Sequence, residues 1–331
     1  MKKISVIGFG SWGIALASVL DKNGHDVTAW DNEAYVNELI ETRRNNYLPE
    51  VVIPSSIKIT HDIETAAKHA EIFVLGLTSK AVSITAPIFA PYFTEGKIVV
   101  SGAKGLEETS QIRISQYLQK ICNGCSVAVL TGPSHAEEVL KNIPTTIVAA
   151  AEDEKIAEIV QDIFLSESFR VYTSTDLIGA EIGGALKNVI AVAAGCSDGL
   201  GFGDNTKAAL ITRGIAEITR LGVAMGAKEQ TFAGLSGIGD LIVTCTSQHS
   251  RNWRAGSMLA KGKMLDDVLK EVGMVVEGVD TAKTALQLAR KYNVEMPIVE
   301  EINKVIFENK SPKDAVVDLM LRERKEELPT L

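Results

Sequence analysis

Residues 3–31 constrain this chain more than any other stretch, because a β-branched run, a glycine-rich turn, a helical pattern and a second apolar run follow one another there. Ile4, Val6 and Ile7 lead into Gly8-Phe9-Gly10-Ser11-Trp12-Gly13, and Ala15, Leu16, Val19 and Leu20 continue with helical spacing. That is GxGxxG between a strand and a helix, the setting in which the pattern has a mechanism. Gly8 permits the tight turn, Gly10 lets backbone approach a pyrophosphate, and Gly13 brings helix and strand together. The helix start then faces the phosphates. Asp31 closes the second apolar run, eighteen residues after Gly13. A carboxylate there accepts the hydroxyls of a ribose and repels a 2′-phosphate.

At 331 residues the chain exceeds one ordinary core, so two domains are expected. A net charge of −8 and a pI near 5.3 set it against nucleic acid and against anionic membrane surfaces, both of which demand clustered cations. Met1-Lys2-Lys3 enters the first strand with no cleavable apolar region, so a cytoplasmic protein is expected. The most apolar later segment, 178–196, carries Glu181 and Lys187 and is read as too short to span a bilayer, so no membrane insertion is expected. Cys122 and Cys125 stand alone in a helix-to-strand turn without further metal ligands. They are read as structural, and no metal is expected.

Further strands are expected at 57–60, 70–75, 98–101, 126–130, 145–150 and 169–172, with helical patterns at 81–92, 112–121 and 155–164. Alternation of this kind predicts a Rossmann-type doubly wound parallel α/β sheet with ligands beyond the carboxyl ends of its strands. Gly8 to Gly13, Thr78, Lys104 and Gly132 to Ser134 all fall at such ends. From residue 178 helical patterns take over, at 178–197, 206–225, 252–261, 279–292 and 300–307. The organisation is therefore a dinucleotide-binding domain, 1–177, followed by an all-α substrate domain, 178–331.

Lys187 is the strongest catalytic candidate. Gly183, Gly184, Ala180, Ala191 and Ala194 either leave room beside it or merely permit close helix packing while the lysine reaches out to water, and Ile182, Leu186 and Val189 pack the same helix. A partly buried lysine has a depressed pKa and becomes a competent proton donor. Asp240, in a glycine-rich turn that closes an apolar run, is placed to orient an ammonium or bind a hydroxyl, or else to shape the turn. Ser250-Arg251-Asn252 precedes a helical segment and gathers a hydroxyl, a guanidinium and backbone N–H groups, either as a phosphate site or as a surface cap.

Together with Lys104-Gly105-Leu106-Glu107, Gly132-Pro133-Ser134-His135-Ala136-Glu137 and the Gly183–Asn188 helix, these motifs resemble the bacterial NAD(P)-dependent glycerol-3-phosphate dehydrogenases nearly end to end. The resemblance implies reversible hydride transfer between NAD(P)H and C2 of dihydroxyacetone phosphate, giving sn-glycerol 3-phosphate for phospholipid synthesis. Carried over by position, it makes Lys187 the proton donor and acceptor. It sets Lys104, Gly132, Ser134, Asp240, Ser250, Arg251 and Asn252 around the substrate. Ser11, Trp12, Lys104, Ala136, Arg251, Val275 and Glu277 go around the cofactor.

Members often have a small residue followed by Arg or His where this chain has Asp31-Asn32, so NADH is expected to be preferred and NADPH accepted more weakly. Two alternatives stand beside this reading: a 3-hydroxyacid or 6-phosphogluconate dehydrogenase, against which Ser250-Arg251-Asn252 argues, and a nucleotide-sensing protein without turnover. The second would not need Lys104, Lys187 and Asp240 together. The sequence leaves a homodimer open.

Overall fold

A computed structural model of the chain describes residues 1–46, 48–324 and 326–327. Positions 47, 325 and 328–331 lie outside the described residues. Among the described residues ten strands occur: β1 (Lys3–Ile7), β2 (Asp26–Trp30), β3 (Lys58–Thr60), β4 (Ile72–Leu75), β5 (Ile98–Ser101), β6 (Leu106–Glu107), β7 (Ile112–Arg113), β8 (Ser126–Thr131), β9 (Thr145–Ala151) and β10 (Phe169–Ser174). Eight of them form one sheet in the order β10-β9-β8-β5-β4-β1-β2-β3, and β6 with β7 makes a small hairpin. The strand order reverses beside β1, where an open α/β sheet forms its ligand crevice.

Alternation decides which layer each side chain joins. Ile72 and Val74 of β4 enter one apolar layer, and Phe73 and Leu75 enter the other. All four are buried, because helices cover both faces. The covering helices are α1 (Ser11–Lys22), α2 (Glu33–Thr42), α3 (Ile63–Ala67), α4 (Ser79–Phe89), α5 (Ile114–Ile121), α6 (Ala136–Leu140) and α7 (Glu154–Phe164).

The sheet departs from the expected all-parallel plan at one pairing: β9 runs antiparallel to β8, with Thr131 opposite Val148. The connection between them, residues 132–144, holds only the short α6 and returns the chain beside β8 in the opposite direction. The segment 112–121 also divides, since Ile112 and Arg113 pair with β6 before α5 begins.

The remaining described residues form a helical layer: α8 (Leu177–Gly199), α9 (Asp204–Ala224), α10 (Asp240–Thr246), α11 (Arg251–Ala260), α12 (Leu265–Val272), α13 (Glu277–Lys291), α14 (Pro297–Phe307) and α15 (Pro312–Met320). Its core is built around α8, whose Ile182, Leu186, Val189 and Ile190 are fully covered. At 23 residues α8 is long and apolar enough to cross a bilayer, which corrects the expectation that it is too short. It is instead the central helix of this layer, with 94% of its apolar window buried by its neighbours. Backbones of α8 and α11 approach closely, since a Cβ on Gly256 would lie 2.0 Å from the Val192 carbonyl oxygen.

Two buried carboxylates tie elements together. Glu181 of α8 pairs with Arg113 at 2.7 Å and accepts the Ser115 N–H, fastening α8 to the start of α5. Glu217 of α9 accepts the N–H groups of Ile298 and Val299 at 2.8 and 3.3 Å, capping α14 behind Pro297. Burial pushes the Glu217 carboxyl up to about 7.

Candidate active site

The nucleotide loop takes the form its glycines require. Gly8 has φ +87°, a left-handed conformation that L side chains rarely adopt, and a Cβ on Gly13 would lie 1.8 Å from the Gly8 carbonyl oxygen. Gly10 stands just before α1, so Ser11 and Trp12 form the first turn of a helix whose N–H groups face the crevice. Asp31 accepts the Phe9 N–H at 2.7 Å and the Asn32 N–H at 2.8 Å. Its carboxylate thus braces the loop, and further lone pairs remain for a ligand.

Lys187 lies on α8 at the boundary between sheet and helices. Its ammonium donates to Asp240 Oδ1 and, at 2.8 Å, to Thr244 Oγ1. Asp240 is the first residue of α10 rather than part of a turn, and Thr244 stands one helical turn after it, so both reach the same amine. Burial pulls the Lys187 pKa down to about 8, and Asp240 opposes that fall. The other oxygen of Asp240 lies 3.1 Å from Lys104 Nζ. Lys104 also donates to the Gly132 carbonyl at 2.7 Å and to Ser134 Oγ at 3.2 Å. One carboxylate between two ammoniums leaves the crevice floor positive inside a protein of net charge −8.

Of the two readings of the small residues flanking Lys187, close packing is the one the structure shows, although the lysine is buried and does not reach out to water. A Cβ on Gly183 would meet the Ser236 carbonyl oxygen at 2.3 Å, and one on Gly184 would meet Thr131 Oγ1 at 2.6 Å. They admit neighbouring backbone and strand, and α10 supplies the cover that buries the lysine.

Ser250, Arg251 and Asn252 meet the crevice in three ways. Ser250 Oγ caps α11 by accepting the Trp253 N–H, so the capping reading holds, and its O–H remains to donate. Asn252 accepts the Gly278 N–H at 2.8 Å and donates to Asn188 Oδ1 at 2.9 Å, while Asn188 donates to the Lys104 carbonyl at 2.8 Å. This amide chain joins α11, α8, α13 and the loop after β5. Among the described residues none is hydrogen-bonded to the Arg251 guanidinium, whose charge reaches the Glu277 carboxyl. Glu277 accepts the Ser79 N–H at 3.2 Å, and burial raises it to about 7. Val275 is exposed two residues before it, and Ala136 opens α6.

Among the described residues, seven buried side-chain polar atoms have no hydrogen-bond partner. Five of these, on Trp12, Thr131, His135, Asp240 and Glu277, border this one crevice. Asp240 Oδ2 is in ion-pair range of Lys104 without a directed hydrogen bond. Such atoms are costly unless a ligand meets them, so the crevice is built for polar occupants. The nucleotide loop, α1 and the orphaned Trp12 and Glu277 atoms fit a dinucleotide.

Sequence reasoning did not single out Thr244, Asn188 as an amide bridge, or His135. The signal for Thr244 was its four-residue spacing from Asp240, which becomes visible only once α10 is known to be a helix. Cys122 and Cys125 form a disulfide at the amino-terminal end of β8, remote from the crevice, a bond that their reading as a structural turn did not include. The two free cysteines, Cys196 and Cys245, are buried with thiols pushed up to about 12, out of nucleophilic use.

Comparison with known proteins agrees with this arrangement. Residues 3–157 match the family model for the NAD-dependent glycerol-3-phosphate dehydrogenase N-terminus, and residues 176–317 match that for its C-terminus. A glycerol-3-phosphate dehydrogenase (NAD(P)+) of Agathobacter rectalis is 53% identical over 333 aligned positions, covering 100% of this chain and 99% of that protein. One from Fusobacterium nucleatum is 52% identical, covering 99% of each. The crystal structure of glycerol-3-phosphate dehydrogenase from Coxiella burnetii superposes with a TM-score of 0.93 at 33% identity, covering 97% of this chain and 99% of that one.

Proposed function

The chain belongs to the NAD-dependent glycerol-3-phosphate dehydrogenase family, and from that premise we propose how its residues carry out the NAD(P)-dependent interconversion of dihydroxyacetone phosphate and sn-glycerol 3-phosphate. The observation that carries the reading is the array of buried Lys187 and Asp240 with partly buried Lys104 at the carboxyl ends of the strands. Residues 1–177 hold the dinucleotide, and residues 178–331 supply the proton and most of the substrate contacts.

The nicotinamide, when bound, supplies the hydride to C2 of the ketone or takes it from the alcohol. Lys187 gives its proton to the C2 oxygen during reduction and takes it back during oxidation. Asp240 and Thr244 fix the direction in which its ammonium points. Lys104, held by Gly132 and Ser134, adds a second positive charge where negative charge develops on that oxygen. Arg251, at the first turn of α11, meets the substrate phosphate, and the Ser250 hydroxyl donates to it. Asn252 contributes chiefly by bracing Lys104 and the start of α13 through Asn188. Gly8, Gly10, Ser11, Trp12, Gly13, Ala136, Val275 and Glu277 surround the cofactor.

Cofactor choice rests on Asp31. Arg43 donates to the Ile57 carbonyl at 2.8 Å and Arg44 to the Pro49 carbonyl at 2.9 Å. Both guanidiniums are therefore engaged away from a 2′-phosphate, and NADH is the preferred partner. The test is absorbance at the nicotinamide band on adding dihydroxyacetone phosphate to the enzyme with NADH or NADPH. Substrate-dependent loss of absorbance supports the reading, and its absence with both cofactors removes it.

A further inference from the structure

We propose that His135 is a specificity-determining substrate contact whose Nε2 hydrogen-bonds the hydroxymethyl oxygen of the three-carbon phosphate, the end opposite its phosphate. The inference rests on the crevice being the site proposed above. His135 follows Gly132-Pro133-Ser134 at the carboxyl end of β8, directly before α6, and its Nε2 is closed off from solvent without any partner. Beside it stands His249, in the turn before Ser250 and Arg251, with the two ring centroids 5.9 Å apart and tilted by 56°. One ring belongs to the sheet layer and the other to the helical layer, so the pair joins the two layers beside the orphaned Nε2.

The charges that face His135 are Lys187 and Lys104 from the crevice and Glu137 and Glu138 from its own helix. Burial, followed by Lys187, holds its imidazole below the usual histidine range, so it meets a ligand as a neutral ring. A neutral imidazole nitrogen donates or accepts according to its tautomer, which suits a hydroxyl that can do either. Ser134, directly before it, accepts from Lys104 at 3.2 Å, and Lys104 in turn reaches Asp240 beside Lys187, so His135 stands next to the lysine end of the crevice. The Arg251 end is left to the phosphate.

The test compares His135→Phe, which keeps a ring to pack on His249, with His135→Gln, which restores a polar atom. For His135→Phe the expected result is a KM for dihydroxyacetone phosphate raised about five- to tenfold, the worth of one neutral hydrogen bond. The KM for NADH and the inhibition constant for inorganic phosphate should stay within twofold, and His135→Gln should recover part of the loss. Retained NADH fluorescence quenching verifies the fold of each variant. If the KM of His135→Phe stays within twofold, or if phosphate inhibition weakens in parallel with KM, the assignment is overturned. Failure of the functional reading is distinguishable, since the unmodified protein would then show no turnover with dihydroxyacetone phosphate at all.

Discussion

Lys187 and Asp240 form a buried ammonium–carboxylate pair between α8 and α10, with side chains only 6% and 1% exposed. Burial lowers the lysine to about 8 and the carboxylate resists that fall, so the amine exchanges its proton close to working pH.

The sign of the pH dependence follows from this pair. Ketone reduction needs protonated Lys187, so kcat/KM should be level below about 8 and fall about tenfold per unit above it. Alcohol oxidation needs the neutral amine and should rise to a plateau over the same range. Asp240→Asn removes the partner that raises the lysine, and its reductive midpoint should move to lower pH. Steady-state profiles in both directions check this, and an upward shift in Asp240→Asn would contradict it.

Asp31→Ala should move cofactor preference toward NADPH. Asp31 in the unmodified protein places a carboxylate where a 2′-phosphate would add like charge. At 4 Å and an effective dielectric of 20 such a pair is worth about 4 kcal/mol before screening, and a quarter of that already changes affinity several-fold. The measurement is the ratio of kcat/KM for NADH and NADPH. Because Asp31 also accepts the Phe9 N–H, some loss of NADH affinity should accompany the switch. A clear NADPH preference in the unmodified enzyme would remove this role.

How far the sequence reached differs between the halves for a physical reason. The nucleotide loop is legible because each of its constraints is local: the turn, the helix start and Asp31 lie within 29 consecutive residues, 3–31. Direction in β9 is not legible, since Thr145–Ala151 reads as a buried strand whichever way it runs. Lys187 stood out by its small neighbours, yet Gly183 and Gly184 are small to admit Ser236 and Thr131. What holds its ammonium comes from Asp240 and Thr244, more than fifty residues away in the chain. Ser250, Arg251 and Asn252 read as one site because they are adjacent. In the fold they point to a cap, the crevice and an amide bridge, a division that only long-range packing creates.

Glu217 gives a stability prediction. Its folded pKa, about 7, lies above the ordinary carboxyl value of 4.5, so the stability linked to its protonation is full below about 4.5 and lost as pH rises through 7. Glu277 slopes the same way. Glu217→Gln should flatten the fall of Tm between about pH 4.5 and pH 7, the window that the unfolded and folded values set. Glu217→Ala should cost about 2–4 kcal/mol, because the N–H groups of Ile298 and Val299 lose their acceptor inside the core. Thermal melts across that range decide it, and an unchanged slope in Glu217→Gln would assign the titration elsewhere.

The central claim is that Lys187 moves the proton, and Lys187→Ala tests it most directly when NADH binding and NADH oxidation are followed in the same preparation. Fluorescence quenching by NADH should match the unmodified protein, because the nucleotide loop and Asp31 are untouched. Oxidation with dihydroxyacetone phosphate should fall by at least about 10² to 10⁴, the usual contribution of positioned proton transfer. A folded Lys187→Ala variant that binds NADH and turns over at a near-normal kcat would contradict the account.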